Sequence, residues 1–331
     1  IETTNVCNLD CIMCPRTILI ARKNFSKLGF MEFDTYQKVI DEGAKYNLPS
    51  VKLQYLGEPL LHPDVAKQIR YAKDASVLDV MFNTNAMLLT EEKSHEILEA
   101  GIDAIFFSFD SMDPKTFNKI RVGADYDRVI GNILTFLEIK EKGNYDKVHT
   151  RVSMTIMRQD HQDLVDLQDY WKDKVDAVGY GVYHDLTEDG LSETPYNPSF
   201  ACAQPFQRLF VMWDGTVTPC CRDENRYNPL GDLKQSSIYD IWHGQEARSL
   251  RQKHIDGRYN EVPICKKCYM PYTDLDGQVI EVNVLSDEVS DMSSKQKLRW
   301  VDEHVELSPR ATARKKRRDR LSENISSQER H

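Results

Sequence analysis

The distribution of the eight cysteines constrains this chain more than any other feature of its sequence. Residues 15–201 contain none, and all eight lie in two groups on either side of that stretch. Scattered core cysteines would not separate in this way, and in a reducing compartment such groups indicate metal or redox chemistry rather than a disulfide framework. The first group is Cys7, Cys11 and Cys14, and the second is Cys202, Cys220, Cys221, Cys265 and Cys268.

Length and charge narrow the class of protein further. A chain of 331 residues with 40% hydrophobic content can bury a substantial core without disulfides. The net charge of -9 argues against a general nucleic-acid-binding protein. No apolar run approaches the roughly 18 residues that span a bilayer, and the polar, cysteine-rich start does not resemble a signal peptide. We therefore expect a cytoplasmic protein with no membrane segment and no nucleic-acid partner.

The first part of the chain, to about residue 184, alternates short β-prone runs with longer amphipathic runs, which predicts βα units and a parallel sheet. This pattern fits an open doubly wound sheet or a partial (β/α)6 barrel. The predicted helices are Asp34 to Lys45, Thr90 to Ala100, Tyr126 to Glu141 and Asp160 to Lys172. The six predicted strands are Ile1 to Thr4, Ser50 to Leu56, Val77 to Asn83, Ala104 to Phe109, Val148 to Met157 and Val175 to Tyr183.

The sequence changes character near Pro195. "RLFVMWDGTVTPCC" predicts a hairpin that turns at Asp214 and Gly215, and a helical stretch follows from Ile238 to His254. A unit this short lacks a core of ordinary size, so a bound metal centre would help to stabilise it. We expect a core domain over 1–190, a small cysteine-rich α+β domain over 195–282 and a polar, disordered tail over 283–331.

The basic run Arg314 to Arg318 lies in that tail. Runs of like charge are commonly solvated, and one patch on an acidic protein is weak evidence for nucleic-acid binding. We therefore expect the run to be a solvated segment.

The first cysteine group is one ligand short of a four-coordinate metal site. Thiolates select zinc or iron–sulfur clusters, and zinc would need a fourth ligand nearby, whereas the closest histidine is His62. A cubane cluster held by three thiolates has one iron with open coordination, where a small molecule can bind. The sequence therefore favours an iron–sulfur cluster whose last ligand is a substrate or cofactor.

The spacing CxxxCxxC after a first predicted strand resembles the radical S-adenosylmethionine superfamily. The usual aromatic residue before the third cysteine is Met13 here, which alters packing but no ligand. The resemblance implies a partial (β/α)6 TIM-like barrel and a [4Fe–4S] cluster on Cys7, Cys11 and Cys14 that binds S-adenosylmethionine. Reductive cleavage would yield a 5′-deoxyadenosyl radical, with electrons from a donor such as flavodoxin or ferredoxin.

Three further stretches resemble cofactor-binding elements of the same superfamily. "LQYLGEPLL" is similar to its glycine-rich GGEP element, with Leu56 in place of the first glycine, and "FNTNAMLL" and "FSFDS" are similar to elements after the third and fourth strands. All follow predicted strands, and the carboxyl ends of parallel strands carry the site in such barrels. The implied cofactor-binding residues are Gly57, Glu58, Pro59, Asn85, Ser108 and Arg121.

Structural roles would also explain these residues. The stretch from Gly57 to Pro59 suits a turn, Asn83 and Asn85 suit local caps, and Arg121 suits the surface. Both interpretations stay open at the level of sequence.

The second cysteine group resembles the SPASM auxiliary-cluster region in its abbreviated, or twitch, form. The resemblance implies one auxiliary [4Fe–4S] cluster, which would relay an electron or shape the pocket. A structural zinc site on the same thiolates is the alternative. The implied ligands are Cys202, Cys220, Cys265 and Cys268.

Two residues are candidates for catalytic roles. Cys221 is left over from the ligand set and is either a small packed hydrophobe or, as in radical epimerases, a hydrogen-atom donor. His184, between Tyr183 and Asp185 at the end of the sixth predicted strand, could act as a base.

Arg151 and Arg158 flank the fifth predicted strand. They are either solvated surface cations or ligands for an anionic substrate group.

The expected function is hydrogen abstraction that leads to dehydrogenation or epimerisation of a small sugar-like or aminocyclitol alcohol. Modification of a peptide by a related enzyme is the first alternative. A non-catalytic zinc-binding interaction protein is the alternative from another class.

Overall fold

A parallel sheet positions the functional site, and its strands follow one another in chain order from β1 to β5 in this computed structural model. The structure describes residues 1–21, 27–157, 161–182, 200–266, 268 and 270. The strands are β1 (Ser50–Lys52), β2 (Asp79–Thr84), β3 (Ala104–Ser108), β4 (His149–Ile156) and β5 (Ala177–Val182).

Helices alternate with these strands, as βα units require. Side chains at the N-caps start several of them: Thr90 accepts a hydrogen bond from the Lys93 amide, and Asp125 accepts one from the Arg128 amide. The helices are α1 (Pro15–Ala21), α2 (Phe33–Lys45), α3 (Val65–Asp74), α4 (Glu91–Glu99), α5 (Pro114–Ile120), α6 (Tyr126–Lys142) and α7 (His161–Trp171).

The two faces of the sheet differ in polarity, and β4 shows this best. Val152, Met154 and Ile156 are buried in the core, whereas the alternate residues Arg151 and Thr155 are only half-buried. The helices cover the apolar face. The opposite, concave face therefore carries the polar side chains that are accessible to a ligand.

A second, antiparallel sheet lies in the cysteine-rich part of the chain. It comprises β6 (Phe210–Val211), β7 (Thr216–Thr218) and β8 (Gly231–Asp232). The predicted hairpin is present, and Gly215 adopts a φ of 92° at its turn, a conformation that glycine adopts without strain. The accompanying helices are α8 (Gln204–Gln207), α9 (Ile238–His243), α10 (Gln245–Ile255) and α11 (Pro263–Lys266).

The single helix predicted from Ile238 to His254 is wrong in one respect. Gly244 interrupts it with extended backbone (φ -69°, ψ 167°) and serves as both the C-cap of α9 and the N-cap of α10. A Cβ at this position would lie 2.9 Å from the Asp240 carbonyl oxygen, so the bend requires glycine.

The strand predicted from Ile1 to Thr4 is also wrong. Within the described residues this segment is not part of the parallel sheet, and its one β-bridge joins Thr4 to Phe30. The Glu2 amide donates to the Val211 carbonyl at 2.7 Å, and the Met31 amide donates to the Thr3 carbonyl at 2.8 Å. The segment therefore bonds to the hairpin and to the Phe30 region, partners that are distant in sequence.

The predicted α/β class is confirmed, and the four predicted helices of the first part of the chain match α2, α4, α6 and α7. Among the described residues, no helix combines the length and the apolar character that crossing a membrane requires. The predicted tail over 283–331, with its basic run, lies outside the described residues.

Candidate functional site

A cavity of about 410 Å³ opens at the carboxyl ends of the parallel strands. It brings together segments that are up to 215 positions apart, from Cys7 to Arg222, which is the difference between those two residue numbers. Its lining residues are Cys7, Cys11, Met13, Cys14, Pro15, Gln54, Tyr55, Leu56, Gly57, Glu58, Asn83, Thr84, Asn85, Ser108, Arg121, Thr155, Cys221 and Arg222.

The loop that carries the first three cysteines is held by backbone and by one buried arginine. The Asp10 amide donates to the Val122 carbonyl at 2.9 Å, and the Ile12 amide donates to the carbonyl of Ile120, the last residue of α5, at 3.0 Å. Arg16, which is 5% exposed, donates from Nε to the Asn5 carbonyl at 3.0 Å. These bonds hold the loop in place from both sides, so the positions of its thiols at the cavity are fixed.

Gly57 allows the loop after β1 to lie directly against the start of the chain. A Cβ on Gly57 would be 2.2 Å from the Thr4 carbonyl oxygen and 2.7 Å from the Val6 carbonyl oxygen. The next amide, that of Glu58, donates to the Val6 carbonyl at 2.9 Å. The absent side chain therefore permits the contact that joins the GEP element to the cysteine loop.

The Glu58 carboxylate joins two segments, its own loop after β1 and the end of β2. It accepts hydrogen bonds from the Thr84 hydroxyl at 2.7 Å, the Asn85 amide at 2.8 Å and the Leu60 amide at 3.1 Å. Burial raises the pKa of Glu58, and these three donors oppose the shift because they favour the ionised form. The carboxylate thus positions the loops after β1 and β2 relative to each other.

Two asparagines present amide groups to the thiol side of the cavity. Asn85 Nδ2 donates to Asn8 Oδ1 at 2.9 Å and lies 3.9 Å from Cys7 Sγ. Asn83 Oδ1 is buried and has no hydrogen-bond partner among the described residues. An unpaired buried acceptor costs free energy unless a ligand supplies a donor. This atom therefore fits a cavity wall that is completed by a bound molecule.

A buried ion pair lies beside the cysteine loop. Arg121 Nε and Asp110 Oδ2 are 2.7 Å apart, and the two side chains are 8% and 0% exposed. Burial raises the pKa of the Cys11 thiol to about 11, and the positive charge of Arg121 opposes that shift. Ionised thiolates in this position would thus have a cation beside them.

The three thiols suit a shared metal cluster. All three line one cavity, burial raises the pKa of Cys7 and Cys11, and metal coordination is what deprotonates buried cysteines at neutral pH. The acceptor at Asn83 and the close backbone approach at Gly57 leave room on the same side for a polar cofactor. The residues present therefore fit a cluster with an adjacent small molecule.

Cys221 faces the same cavity from the second cysteine group. Its side chain is exposed there, and the Tyr55 hydroxyl donates to its carbonyl at 2.8 Å. The ring of Tyr55 meets that of Phe210 edge to face, with centroids 5.7 Å apart. The residues that follow β1 and the β6–β7 hairpin thus bring Cys221 and the cysteine loop to one space.

The remaining four cysteines form a separate group. Burial raises the pKa of Cys265 most, and the neighbouring thiols of Cys220, Cys268 and Cys202 raise it further. Burial also raises the pKa of Cys220, to about 12. Four thiolates that lie close together and repel one another would need a metal centre to balance their charge. The assignment of these four cysteines as ligands stays a prediction.

Most of the predicted site residues meet in the cavity. Pro59 does not line it, because it is buried at the start of a short 3₁₀ turn, Pro59–Leu61. His184, Tyr183, Asp185 and Arg158 lie outside the described residues. The predicted residues that line the cavity are Cys7, Cys11, Cys14, Gly57, Glu58, Asn85, Ser108, Arg121 and Cys221.

Sequence reasoning missed several cavity residues, among them Tyr55, Thr155 and Arg222. Tyr55 and Arg222 are neighbours of predicted residues, Gly57 and Cys221, but nothing in their type marks them. Thr155 lies on the concave face of β4, where the alternation of burial would have identified it.

Comparison with known families gives two matches along the chain. The model described as "Radical SAM superfamily" matches residues 1–169, and the model described as "Iron-sulfur cluster-binding domain" matches residues 202–269. Both confirm the resemblance drawn from the cysteine spacing.

Individual relatives are distant. A tungsten-containing aldehyde ferredoxin oxidoreductase cofactor-modifying protein of Pyrococcus furiosus is 24% identical and covers 73% of this chain and 79% of its own. An S-adenosyl-L-methionine-dependent 2-deoxy-scyllo-inosamine dehydrogenase of Niallia circulans is 22% identical, and the match covers 81% of this chain and 90% of the dehydrogenase. Several probable GTP 3′,8-cyclases match over only about half of their length.

Among solved structures, Streptococcus suis SuiB bound to the precursor peptide SuiA superposes with a TM-score of 0.60. It is 13% identical, and the match covers 88% of this chain and 75% of SuiB. This likeness supports the fold.

The close approach at Gly57 generates a test of how the cavity is built. Gly57→Ala should lower the free energy of unfolding by about 1–3 kcal/mol, because the new methyl group meets the rigid Thr4 carbonyl. Gly131→Ala is the matched control: it lies within α6 with nothing within 4 Å of a Cβ, so it should stabilise by about 0.5–1 kcal/mol. Urea unfolding measures both. Equal effects of the two substitutions would contradict the close packing.

Proposed function

The chain belongs to the radical SAM superfamily, and from that premise we propose that it abstracts a hydrogen atom from a carbon of a small sugar-like alcohol, leading to dehydrogenation or epimerisation. One observation carries the proposal: the thiols of Cys7, Cys11 and Cys14 and the thiol of Cys221 line the same cavity. A substrate in that space would have the cofactor on one side and a second reactive group on the other.

We assign the cofactors to the two cysteine groups. Cys7, Cys11 and Cys14 hold the first [4Fe–4S] cluster beside the S-adenosylmethionine site, and Cys202, Cys220, Cys265 and Cys268 hold the auxiliary one. When bound, S-adenosylmethionine and its cluster supply a hydrogen-abstracting 5′-deoxyadenosyl radical, and the auxiliary cluster supplies an acceptor for the electron that an oxidation leaves behind.

The protein's own residues orient the cofactor and the substrate. Asn83 Oδ1 offers an acceptor to a donor group of the cofactor. Ser108 and Thr155 place hydroxyl groups along the concave face, where they can bond to the hydroxyls of a polyol. The cavity of about 410 Å³ has to accommodate the cofactor as well as the substrate, which favours a small substrate over a peptide.

Epimerisation needs a hydrogen donor on the face opposite to abstraction, and Cys221, which lines the same cavity as the cysteine loop, is our candidate. The surrounding protein partly desolvates the Cys221 thiol and raises its pKa, so the hydrogen stays on Sγ at neutral pH. Arg222, the next residue, also lines the cavity and could bind a substrate hydroxyl.

Dehydrogenation instead needs a base to accept a proton from the substrate. The sequence candidate for that base, His184, lies outside the described residues. The dehydrogenase of Niallia circulans, whose name gives an aminocyclitol substrate, supports this branch because it matches over 81% of the chain. Peptide modification is the alternative, supported by the likeness to SuiB bound to a peptide.

The reaction class can be tested by cluster reconstitution. The reconstituted wild type should contain about eight irons per chain and release 5′-deoxyadenosine when it is reduced with S-adenosylmethionine. The variant with Cys7, Cys11 and Cys14 changed to alanine should keep about four irons, held by the auxiliary thiolates, and release none. Metal analysis and chromatography measure the two quantities. Stoichiometric zinc in place of iron would instead indicate the interaction-protein alternative.

The role of Cys221 can be tested separately with 2-deoxy-scyllo-inosamine as trial substrate. If Cys221 donates the hydrogen, Cys221→Ser should still cleave S-adenosylmethionine but should no longer place deuterium from heavy water on the substrate carbon, because an alcohol O–H is a far poorer hydrogen-atom donor than a thiol. Mass spectrometry of the substrate pool measures the label. Deuterium incorporation equal to that of the wild type would remove Cys221 from the mechanism and require another hydrogen donor. Oxidised product without any label in the wild type would instead favour dehydrogenation.

A further inference from the structure

Two cations lie against one aromatic ring on the concave face of the sheet. Lys52 Nζ is 5.8 Å from the centroid of the Phe106 ring, and Arg151 Cζ is 5.4 Å from the same centroid. Because both contact one ring, Lys52 on β1 and Arg151 on β4 approach each other across the strands between them.

Strand register places this group next to residues that line the cavity, although Lys52, Phe106 and Arg151 are not themselves lining residues. Asn83, which lines the cavity, is paired with Phe106, and Phe106 is paired with Arg151. Lys52 is two residues before Gln54, another lining residue. Two residues of strand span about 7 Å, so the cations lie at or just below the level of the lining side chains.

The backbone of β5 makes room for the arginine. A Cβ on Gly179 would lie 2.3 Å from Arg151 Nη2, so the guanidinium occupies the space that any other residue would fill. Arg151 also takes part in a further interaction. The guanidinium therefore lies where β5 has no side chain, at Gly179.

Positive charge predominates around Lys52. Desolvation lowers the pKa of Lys52, the charges of Arg151 and Arg208 lower it further, and Cys221 raises it. Cations held together in this way repel one another, and a bound anion would relieve that repulsion. We call Lys52 and Arg151, the two cations in contact with the Phe106 ring, the basic layer.

We propose that the basic layer binds an oxyanion, a phosphate ester or a carboxylate, carried by the substrate. This inference rests on the proposed function, since it assumes that the cavity above the layer holds the reacting carbon. It adds a substrate class: an anionic sugar-like molecule rather than a neutral alcohol. Fixing the anionic end would determine which carbon reaches the space between the thiols.

The test uses the reconstituted full-length chain without reductant, so that binding is measured without turnover. Glucose 6-phosphate, glucuronate and neutral glucose are the probes, and calorimetry gives their dissociation constants. We expect the phosphate or the carboxylate to bind at least about tenfold more tightly than glucose. The preferred anion identifies the chemical source of the oxyanion.

The decisive variant is Lys52→Met, which keeps the aliphatic part of the side chain and removes the charge. It should weaken binding of the preferred anion at least about tenfold. Lys67→Met is the matched control, because Lys67 also lies over a ring, 3.5 Å from the centroid of Phe33, but on α3. The control should bind the anion as the wild type does.

The outcomes separate this inference from the proposed function. Equal binding of glucose and the two anions, or anion binding that Lys52→Met leaves unchanged, overturns the basic layer as a substrate site. Formation of 5′-deoxyadenosine is measured independently. A chain that forms it but binds no anion loses only this inference, and a chain that binds the anion without forming it loses only the proposed reaction.

A different observation concerns the auxiliary cysteines. His254, which is 1% exposed, lies between two of them: its Nδ1 accepts a hydrogen bond from the Cys202 amide at 3.3 Å, and its Nε2 is 3.4 Å from Cys265 Sγ. The ring is stacked on that of Tyr259, with centroids 6.0 Å apart and planes at 11°. Its orientation is therefore fixed.

The backbone amide determines which nitrogen carries the hydrogen. An amide N–H is a donor only, so Nδ1 has to be the unprotonated nitrogen and Nε2 carries the hydrogen. That hydrogen points towards Cys265 Sγ. A hydrogen bond to a ligand thiolate stabilises the more negatively charged, reduced form of a cluster.

We further infer that His254 is a positioning residue that donates a hydrogen bond from Nε2 to the sulfur of Cys265 and so raises the reduction potential of the auxiliary cluster. This rests on the proposed ligand assignment. The measurement uses the variant that lacks Cys7, Cys11 and Cys14, which isolates the auxiliary cluster, and follows its reduction by electron paramagnetic resonance.

In that background His254→Phe should lower the midpoint potential, and His254→Gln, which can still donate, should lower it less. His243→Phe is the control, since His243 is an exposed residue at the end of α9. A potential unchanged in His254→Phe, or an equal fall in both His254 variants, overturns the inference.

Discussion

The buried carboxylate of Glu58 is the interaction on which the arrangement of the site depends. It accepts hydrogen bonds from the Thr84 hydroxyl and from the Asn85 and Leu60 amides, while its own amide donates to the Val6 carbonyl. One residue therefore fixes the loop after β1, the end of β2 and the start of the cysteine loop relative to one another. A charge this buried is stable only with several donors, so the same bonds that stabilise it also bring the thiols to the strand ends.

A second constraint is the balance of charge around sulfur. Buried thiols resist ionisation, yet metal ligation requires thiolates, so the chain has to provide compensation. Beside the first group Arg121 supplies a positive charge and is itself held by Asp110. Beside the second group Arg222 supplies a positive charge that acts on Cys268, and His254 Nε2 lies 3.4 Å from Cys265 Sγ. Each group of thiols thus has a cation nearby, and the second has in addition a histidine ring in contact with one sulfur.

Much of the fold and the composition of the site could be predicted, because both depend on local patterns. Hydrophobic periodicity located α2, α4, α6 and α7, and the cysteine spacing indicated the family. One failure occurred where distant contacts decide the structure, because the first residues bond to Val211 and Met31 instead of entering the sheet. The other was local: Gly244 lies close to the Asp240 carbonyl and interrupts a helix that periodicity predicted to be continuous. Arg151 lies beside Phe106 because β3 and β4 pair in that register, which sequence periodicity does not specify. From the sequence alone, Arg151 therefore could not be distinguished from a surface arginine.

The side chains on the concave face of the sheet change from uncharged to positively charged along the strands. Thiols and uncharged polar groups lie at the strand ends, whereas cations lie at and below the level of Asn83. A neutral molecule would have little reason to adopt one orientation in such a space. A molecule with one anionic end would be aligned along the strands, with its opposite end between Cys221 and the cysteine loop. The basic layer would then determine which carbon reacts, although it lies further down the strands than the thiols. This separation leaves the thiol side of the cavity free for the cofactor.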